Sequence, residues 1–158
     1  MADLRQQLEE CFKGRVCLMG LGNTDYGDDG LGVWMAKNLE VAGVPNVIVA
    51  GVMPERFIDT AIADGFDHLI FLDAVEFGAA PGSVVFLDSD DMAARFPQIS
   101  THKISLGLLA KLVEDKGRTK ARLLGVQPES LKSRSELSPV ARETVDLLCD
   151  LITDILNP

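Results

Sequence analysis

The run RVCLMGLGNTDYGDDGLG, residues 15–32, decides the fold. Its first part, Arg15–Gly20, is a short apolar run that ends in glycine, a pattern typical of a buried strand. A polar loop bounded by Gly22 and Gly27 follows, and an apolar periodicity then predicts a helix over Asp29–Val41. A buried strand, a tight loop and a helix in succession form the basic unit of an α/β fold.

The remaining sequence repeats this alternation. Strands are predicted at Asn46–Gly51, His68–Ala74, Ser83–Leu87 and Ala121–Val126, and helices at 3–12, Glu55–Asp64, Ile104–Asp115 and Pro139–Leu156, with a helical turn at Asp90–Phe96. Alternating strands and helices predict an α/β/α sandwich on a mostly parallel sheet. The unbroken apolar run at 69–72 indicates a central third strand. The 74–82 connection is too short for a crossover helix, so the third and fourth strands should not be parallel neighbours.

Composition limits the function classes. The chain has 158 residues, which we expect to form one domain over 1–158, and its formal net charge is −9. Such a charge repels nucleic acids and anionic lipid surfaces, so we expect neither as a partner. The cysteines Cys11, Cys17 and Cys149 form no CxxC pair, which excludes a disulfide scaffold and a zinc ribbon. With no apolar leader at its N-terminus, the chain is expected to be cytoplasmic.

The glycine loop does not fit either common phosphate-binding motif. Gly20 and Gly22 match the start of the dinucleotide fingerprint, but Asp25 stands at its third glycine position. Gly22 and Gly27 match the glycines of a P-loop, but the acidic pair at 28–29 stands where lysine and a hydroxyl residue are required. Carboxylates at those positions repel phosphate.

The same loop holds three carboxylates within five residues, Asp25, Asp28 and Asp29. Aspartate is a favourable N-cap and first-turn residue. We assign Asp28 to capping the following helix, which leaves Asp29 as the carboxylate available for a site.

Two further residues should reach the same edge of the sheet. Asp73 ends the third strand, and His102 lies in a polar segment before a helix. In parallel sheets the functional crevice lies beyond the carboxyl ends of the strands, so Asp29, Asp73 and His102 are expected on one rim. Two carboxylates and an imidazole suit zinc, nickel or related ions better than magnesium or calcium. His68 begins the third strand at its opposite end and is assigned a structural role.

These residues resemble a known family. The run Gly20-Leu-Gly-Asn23 followed by Asp28-Asp29-Gly-Leu-Gly32 is similar to the N-terminal signature of the hydrogenase maturation proteases. The resemblance continues in order through the chain, with Leu72-Asp73-Ala74, Pro81-Gly82, Thr101-His102 and Gly125-Val-Gln-Pro-Glu129. It covers essentially the whole chain from about residue 15.

The resemblance implies a three-layer α/β/α sandwich whose five-stranded mixed sheet has one antiparallel strand. It also implies that Asp29, Asp73 and His102 contact a metal and act in catalysis, with Asn23 and the 51–55 loop shaping the substrate cleft. The implied reaction is endoproteolytic removal of the C-terminal peptide from a nickel–iron hydrogenase large-subunit precursor. The metal is then the nickel of that precursor, and zinc or cadmium could take its place in a crystal. We expect the protein to be a monomer.

Three other interpretations remain at this point. The chain could be a non-catalytic nickel-checking protein of the same fold, or a metallopeptidase that acts on other peptides. An unrelated α/β nucleotide-binding enzyme is the third, and the failed phosphate motifs oppose it.

Overall fold

The computed structural model describes residues 3–95 and 105–157. The helices are α1 (Leu4–Cys11), α2 (Leu31–Val41), α3 (Glu55–Ala63), α4 (Ser89–Arg95), α5 (Leu106–Lys116) and α6 (Pro139–Leu156). The strands are β1 (Val16–Leu21), β2 (Val47–Gly51), β3 (His68–Ala74), β4 (Val84–Asp88) and β5 (Lys120–Val126), and a 3-10 turn at Gly27–Gly30 precedes α2. The predicted helix end at Phe96 and helix start at Ile104 lie outside the described residues.

The five strands form one mixed sheet in the order β2-β1-β3-β5-β4. β3 is the central strand, as its unbroken apolar run predicts. β4 pairs antiparallel with β5, whereas the other neighbouring pairs are parallel. The short connection after β3 therefore leads to the far side of β5, which confirms that β3 and β4 are not parallel neighbours.

Two hydrophobic cores cover the two faces of the sheet. Along β3, Ile70 and Leu72 pack into one core with residues of α1, α2 and α6. Leu69 and Phe71 pack into the other core with residues of α3, α4 and α5. Successive side chains of a strand point to opposite faces, so an uninterrupted apolar strand supplies both cores. This arrangement confirms the predicted α/β/α sandwich.

Local signals account for the boundaries of α6. The Ser138 hydroxyl accepts a hydrogen bond from the Ala141 N–H at 3.3 Å, and Pro139 occupies the first helical position. Both features match the N-cap and proline preferences of helix starts. The chain therefore enters α6 directly from the loop that follows β5, at the carboxyl edge of the sheet.

The length and polarity of the helices bear on membrane association. Across residues 3–95 and 105–157, no helix combines the length and the apolar character needed to cross a bilayer. The longest, α6, has 18 residues and an exposed face that carries charged side chains.

Candidate active site

The motif glycines fold the 22–30 loop tightly onto the carboxyl ends of β1 and β3. Gly22 has a φ of +121°, and a Cβ added there would lie 1.8 Å from the Asp29 carbonyl oxygen. A Cβ at Gly32 would lie 2.0 Å from the Leu72 carbonyl oxygen, and one at Gly20 would lie 2.4 Å from that of Gly32. Each added atom would collide with backbone, which has little freedom to move. These glycines therefore permit close packing of strand, loop and helix.

Asp29 is held at this corner by the loop itself. It lies in the 3-10 turn with only 6% of its surface exposed, and its Oδ2 accepts a hydrogen bond from the Asn23 N–H at 2.9 Å. The Asn23 side-chain oxygen in turn accepts from the Asp25 N–H at 2.9 Å. This N–H donor restricts the orientation of the Asp29 carboxylate. Asn23, assigned to the substrate cleft from the resemblance, thus also orients Asp29.

Asp73 lies at the end of the central strand, where it is fully buried. Its Oδ1 accepts a hydrogen bond from the N–H of its neighbour Ala74 at 2.9 Å. The residue before it, Leu72, pairs with Gly20 of β1, and the Leu72 carbonyl faces the first turn of α2 at Gly32. Asp73 is thus placed at the same edge and corner of the sheet as the turn that carries Asp29.

His102 lies outside the described residues, between the end of α4 and the start of α5. In residues 3–95 and 105–157 there is no group of three or more His, Cys, Asp or Glu residues that could hold a metal ion. The described part of the site therefore supplies two carboxylates, Asp29 and Asp73, and the three-residue metal site stays a prediction.

Asp28 does not cap α2, so that assignment is wrong. The N-cap of α2 is Gly30, which makes no side-chain capping bond. The Asp28 carboxylate instead accepts hydrogen bonds from the Ser138 N–H and hydroxyl, each at 2.7 Å, and from the Glu129 N–H at 2.9 Å. The N-cap preference of aspartate offered a local explanation for this residue, whereas its hydrogen-bond partners are more than a hundred positions away in the sequence.

Gln127 is a second residue whose role the sequence did not reveal. It directly follows β5 and is 95% buried, with 5% of its surface exposed. Its Oε1 accepts from the Phe77 N–H at 2.8 Å, and its Nε2 donates to the Glu76 carboxylate at 2.6 Å. The Gln-Pro-Glu segment stood out only through the family resemblance, and nothing local to it indicates a partner in the loop after β3.

His68 lies at the amino end of β3, at the edge opposite Asp73, as predicted. Its ring is half-buried, and burial is the main cause that lowers its pKa below the ordinary value of 6.5. The positive charge of Arg122 adds to the effect, and Asp67 opposes it. His68 is thus remote from the candidate site and is neutral near pH 7.

Comparison with known proteins identifies the family. The family model for hydrogenase maturation protease (HycI) matches residues 33–155. The chain is 35% identical over 115 residues to the hydrogenase 3 maturation protease of Escherichia coli (strain K12), an alignment that covers 71% of this chain and 72% of that protein. It is 28% identical over 148 residues to the hydrogenase 2 maturation protease of the same strain, covering 84% of each.

Solved structures agree with the sequence comparison. The crystal structure of the [NiFe] hydrogenase maturation protease HycI from Thermococcus kodakarensis KOD1 superposes with a TM-score of 0.84 at 30% identity, covering 96% of this chain and 99% of that one. The solution structure of the endopeptidase HycI from Escherichia coli gives a TM-score of 0.78 at 26% identity, covering 89% and 90%. The chain therefore belongs to the hydrogenase maturation protease family and is an endopeptidase.

Proposed function

We propose that this endopeptidase removes the C-terminal peptide of a nickel–iron hydrogenase large-subunit precursor after nickel has been inserted. The nickel of the precursor is the recognition element, and Asp29, Asp73 and His102 contact it. The observation that carries the proposal is the placement of two buried carboxylates, Asp29 and Asp73, at one corner of the carboxyl edge. Carboxylate oxygens are ligands for divalent metal ions, so two of them at one corner support contact with such an ion.

The donor set fits nickel as part of the substrate. Carboxylate oxygens and an imidazole nitrogen are ligands for nickel and zinc. A precursor without nickel lacks the group that these side chains would contact, so the site would discriminate loaded from unloaded precursor. Zinc or cadmium would act as a substitute ion in the absence of precursor.

The hydrolysis itself has two chemical routes at this site. In both, a water oxygen adds to the scissile carbonyl carbon, the C–N bond breaks, and the leaving amine gains a proton. In the first route the precursor's metal lowers the pKa of the attacking water. In the second, Asp29 or Asp73 takes the proton from water as a general base and returns it to the amine.

A cleavage assay tests the proposal. The purified protein is mixed with a hydrogenase large-subunit precursor from the same cells, with or without nickel loaded, and the product mass is read. We expect loss of a C-terminal peptide from the loaded form alone. Asp73→Asn should abolish cleavage, whereas Asp25→Asn, an exposed aspartate in the same loop as Asp29, should leave it unchanged. Equal cleavage of both precursor forms would refute nickel recognition.

His102→Ala tests the part of the site that lies outside the described residues. We expect this variant to lose processing under either hydrolytic route. Unchanged processing would refute the three-residue assignment. If neither precursor form is cleaved by the wild type, a pull-down of the loaded precursor separates a wrong partner from a protein that binds without cutting.

The proposed working state is a cytoplasmic monomer bound to one precursor. Light scattering of the free protein and of its mixture with precursor would check this stoichiometry. A stable dimer of the free protein would contradict it.

A further inference from the structure

The connection between β5 and α6 runs across the carboxyl edge of the sheet, and we call residues 127–138 the strap. The middle of the strap pairs with the loop that carries Asp25, Asp28 and Asp29. The Gly27 N–H donates to the Arg134 carbonyl at 2.9 Å, and the Arg134 N–H donates to the Asp25 carbonyl at 3.0 Å. The Asp28 N–H donates to the Ser130 carbonyl at 3.1 Å. The strap and the 25–28 segment are thus joined along their backbones.

The Asp28 side chain anchors the strap at two more points. Only 1% of Asp28 is exposed, and its two oxygens accept the three hydrogen bonds from Ser138 and Glu129 described above. Ser138 is also the N-cap of α6, so its hydroxyl donates to Asp28 and accepts from Ala141. Three donors directed at one buried carboxylate give it a fixed position and satisfy backbone N–H groups that would otherwise lack a partner.

The other end of the strap reaches the loop that follows Asp73. Gln127 accepts from the N–H groups of Phe77 and Ala79, at 2.8 and 3.4 Å, and donates to Glu76. The backbone of Gln127 also bonds to Gly82 and Ser83, at 2.9 and 2.8 Å. Two sets of hydrogen bonds, joined through the backbone of the strap, therefore connect the loop after Asp73 to the turn that contains Asp29.

We infer that Asp28 is a positioning residue of the active site: its buried carboxylate holds the strap against the 25–28 segment and thereby fixes the adjacent Asp29 relative to Asp73. Asp28 itself contacts neither the substrate nor its nickel. The catalytic part of this inference rests on the proposed function. The geometric part, that Asp28 fixes the environment of Asp29, does not depend on the substrate.

Asp28→Asn is the decisive substitution because it preserves shape. An amide has a single acceptor oxygen, so its NH₂ group must face at least one of the backbone N–H groups of Glu129 and Ser138. We expect the Asn23 amide, which bonds to Asp29, and the Glu129 amide to exchange with solvent about tenfold faster or more. The amides of Leu72 in β3 and Leu124 in β5 should keep their protection.

Hydrogen-exchange NMR of the free protein measures these rates, and processing kinetics on the loaded precursor give the second readout. We expect Asp28→Asn to lower kcat by about tenfold or more, with KM changed by less than about threefold, because the groups that bind the precursor remain. A purely structural role would lower the Tm and leave both kcat and Asn23 exchange at their wild-type values below that temperature. That result would overturn the inference.

Ser138→Ala provides a milder variant in case Asp28→Asn does not fold. It removes one of the three bonds to Asp28 and keeps both backbone donors, so a smaller rise in Asn23 exchange is expected. Asp25→Asn is the matched control and should change neither readout. Unchanged Asn23 exchange in Ser138→Ala, with no folded Asp28→Asn available, would also overturn the inference. If the wild type does not process the precursor, the proposed function fails, and the exchange rates still decide the positioning role.

Discussion

Gly32→Ala should destabilise the protein severely, because the first turn of α2 packs directly on the sheet. The new Cβ would lie 2.0 Å from the Leu72 carbonyl oxygen and 2.5 Å from that of Leu21. Real Cβ contacts essentially never fall below 3.0 Å, so relief of the closer clash requires the helix and strand to separate by at least 3.0 − 2.0 = 1.0 Å. Neither partner atom belongs to a flexible side chain that could turn away.

The energetic cost follows from that separation. A radial gap of about 0.5–1 Å forfeits a quarter to a half of each dispersion contact across an interface. The affected interface includes the buried side chains Leu31, Met35 and Leu39 of α2. Overpacking a well-packed core typically costs about 1–3 kcal/mol, and this site combines overpacking with a lost interface. We therefore expect a loss of about 3 kcal/mol in the free energy of unfolding.

Urea denaturation measures this loss. With a slope of about 2 kcal/mol/M, a loss of about 3 kcal/mol lowers the midpoint by about 1.5 M. Gly117→Ala is the matched control, since its φ of −158° suits alanine and its nearest neighbour, a methyl of Ile62, would lie at an ordinary 3.5 Å. A Gly32→Ala midpoint equal to that of the control would show that α2 is not held against the sheet as described.

Two further predictions follow from ionisable groups away from the site. Burial lowers the pKa of His68 below its ordinary value of 6.5. The unfolded chain therefore binds the proton more tightly than the folded chain does. The contribution of His68 to stability is thus complete above pH 6.5 and is lost as the pH falls through the folded-state pKa. The Tm should therefore fall more between pH 7.5 and 5.5 in the wild type than in His68→Gln, and equal slopes would contradict this. Burial raises the pKa of the Cys17 and Cys149 thiols to about 12. Both thiols should therefore resist a thiol reagent at pH 8 until guanidinium unfolds the chain. Rapid labelling of Cys17 in the native protein would refute its burial in the core.

Local sequence signals account for most of the fold. The apolar run at 69–72 predicts a strand buried on both faces, and β3 is the central strand. Ser138 followed by Pro139 predicts the start of α6, and the helix begins there. These signals succeed because burial period, proline and N-cap preferences act over a few neighbouring residues.

Predictions fail where a residue's partner is distant in sequence. The position of Asp28 before a helix predicts a capping role, but its three hydrogen-bond donors belong to residues 129 and 138. Gln127 follows a strand in the sequence, and only the folded chain shows that it binds the 76–79 segment. Periodicity carries no information about such pairings, so the strap could not be inferred before the structure was known.

The site carboxylates represent an intermediate case. Asp29 and Asp73 could be placed on one edge because parallel strands end on the same side of a sheet. The sequence could not show that the motif glycines allow the 3-10 turn to lie close to the end of β3. Gly22 and Gly32 leave room for backbone contacts that any side chain would block.

The glycine-and-aspartate motif therefore combines two separable roles within thirteen residues, Gly20–Gly32. Its glycines determine how closely α2 and the loop approach the sheet, and so they govern stability and site geometry together. Asp29 is the proposed contact to the metal, whereas Asp28 connects the loop to the strap. Substitutions within one short motif should consequently diverge: Gly32→Ala should lower stability before activity can be assessed, and Asp28→Asn should alter the surroundings of Asp29 in a chain whose central strands remain protected. If the motif served catalysis alone, its glycines would tolerate alanine wherever no substrate approaches. Gly32→Ala would then not destabilise the fold, and the effects of the two substitutions would not differ in this way.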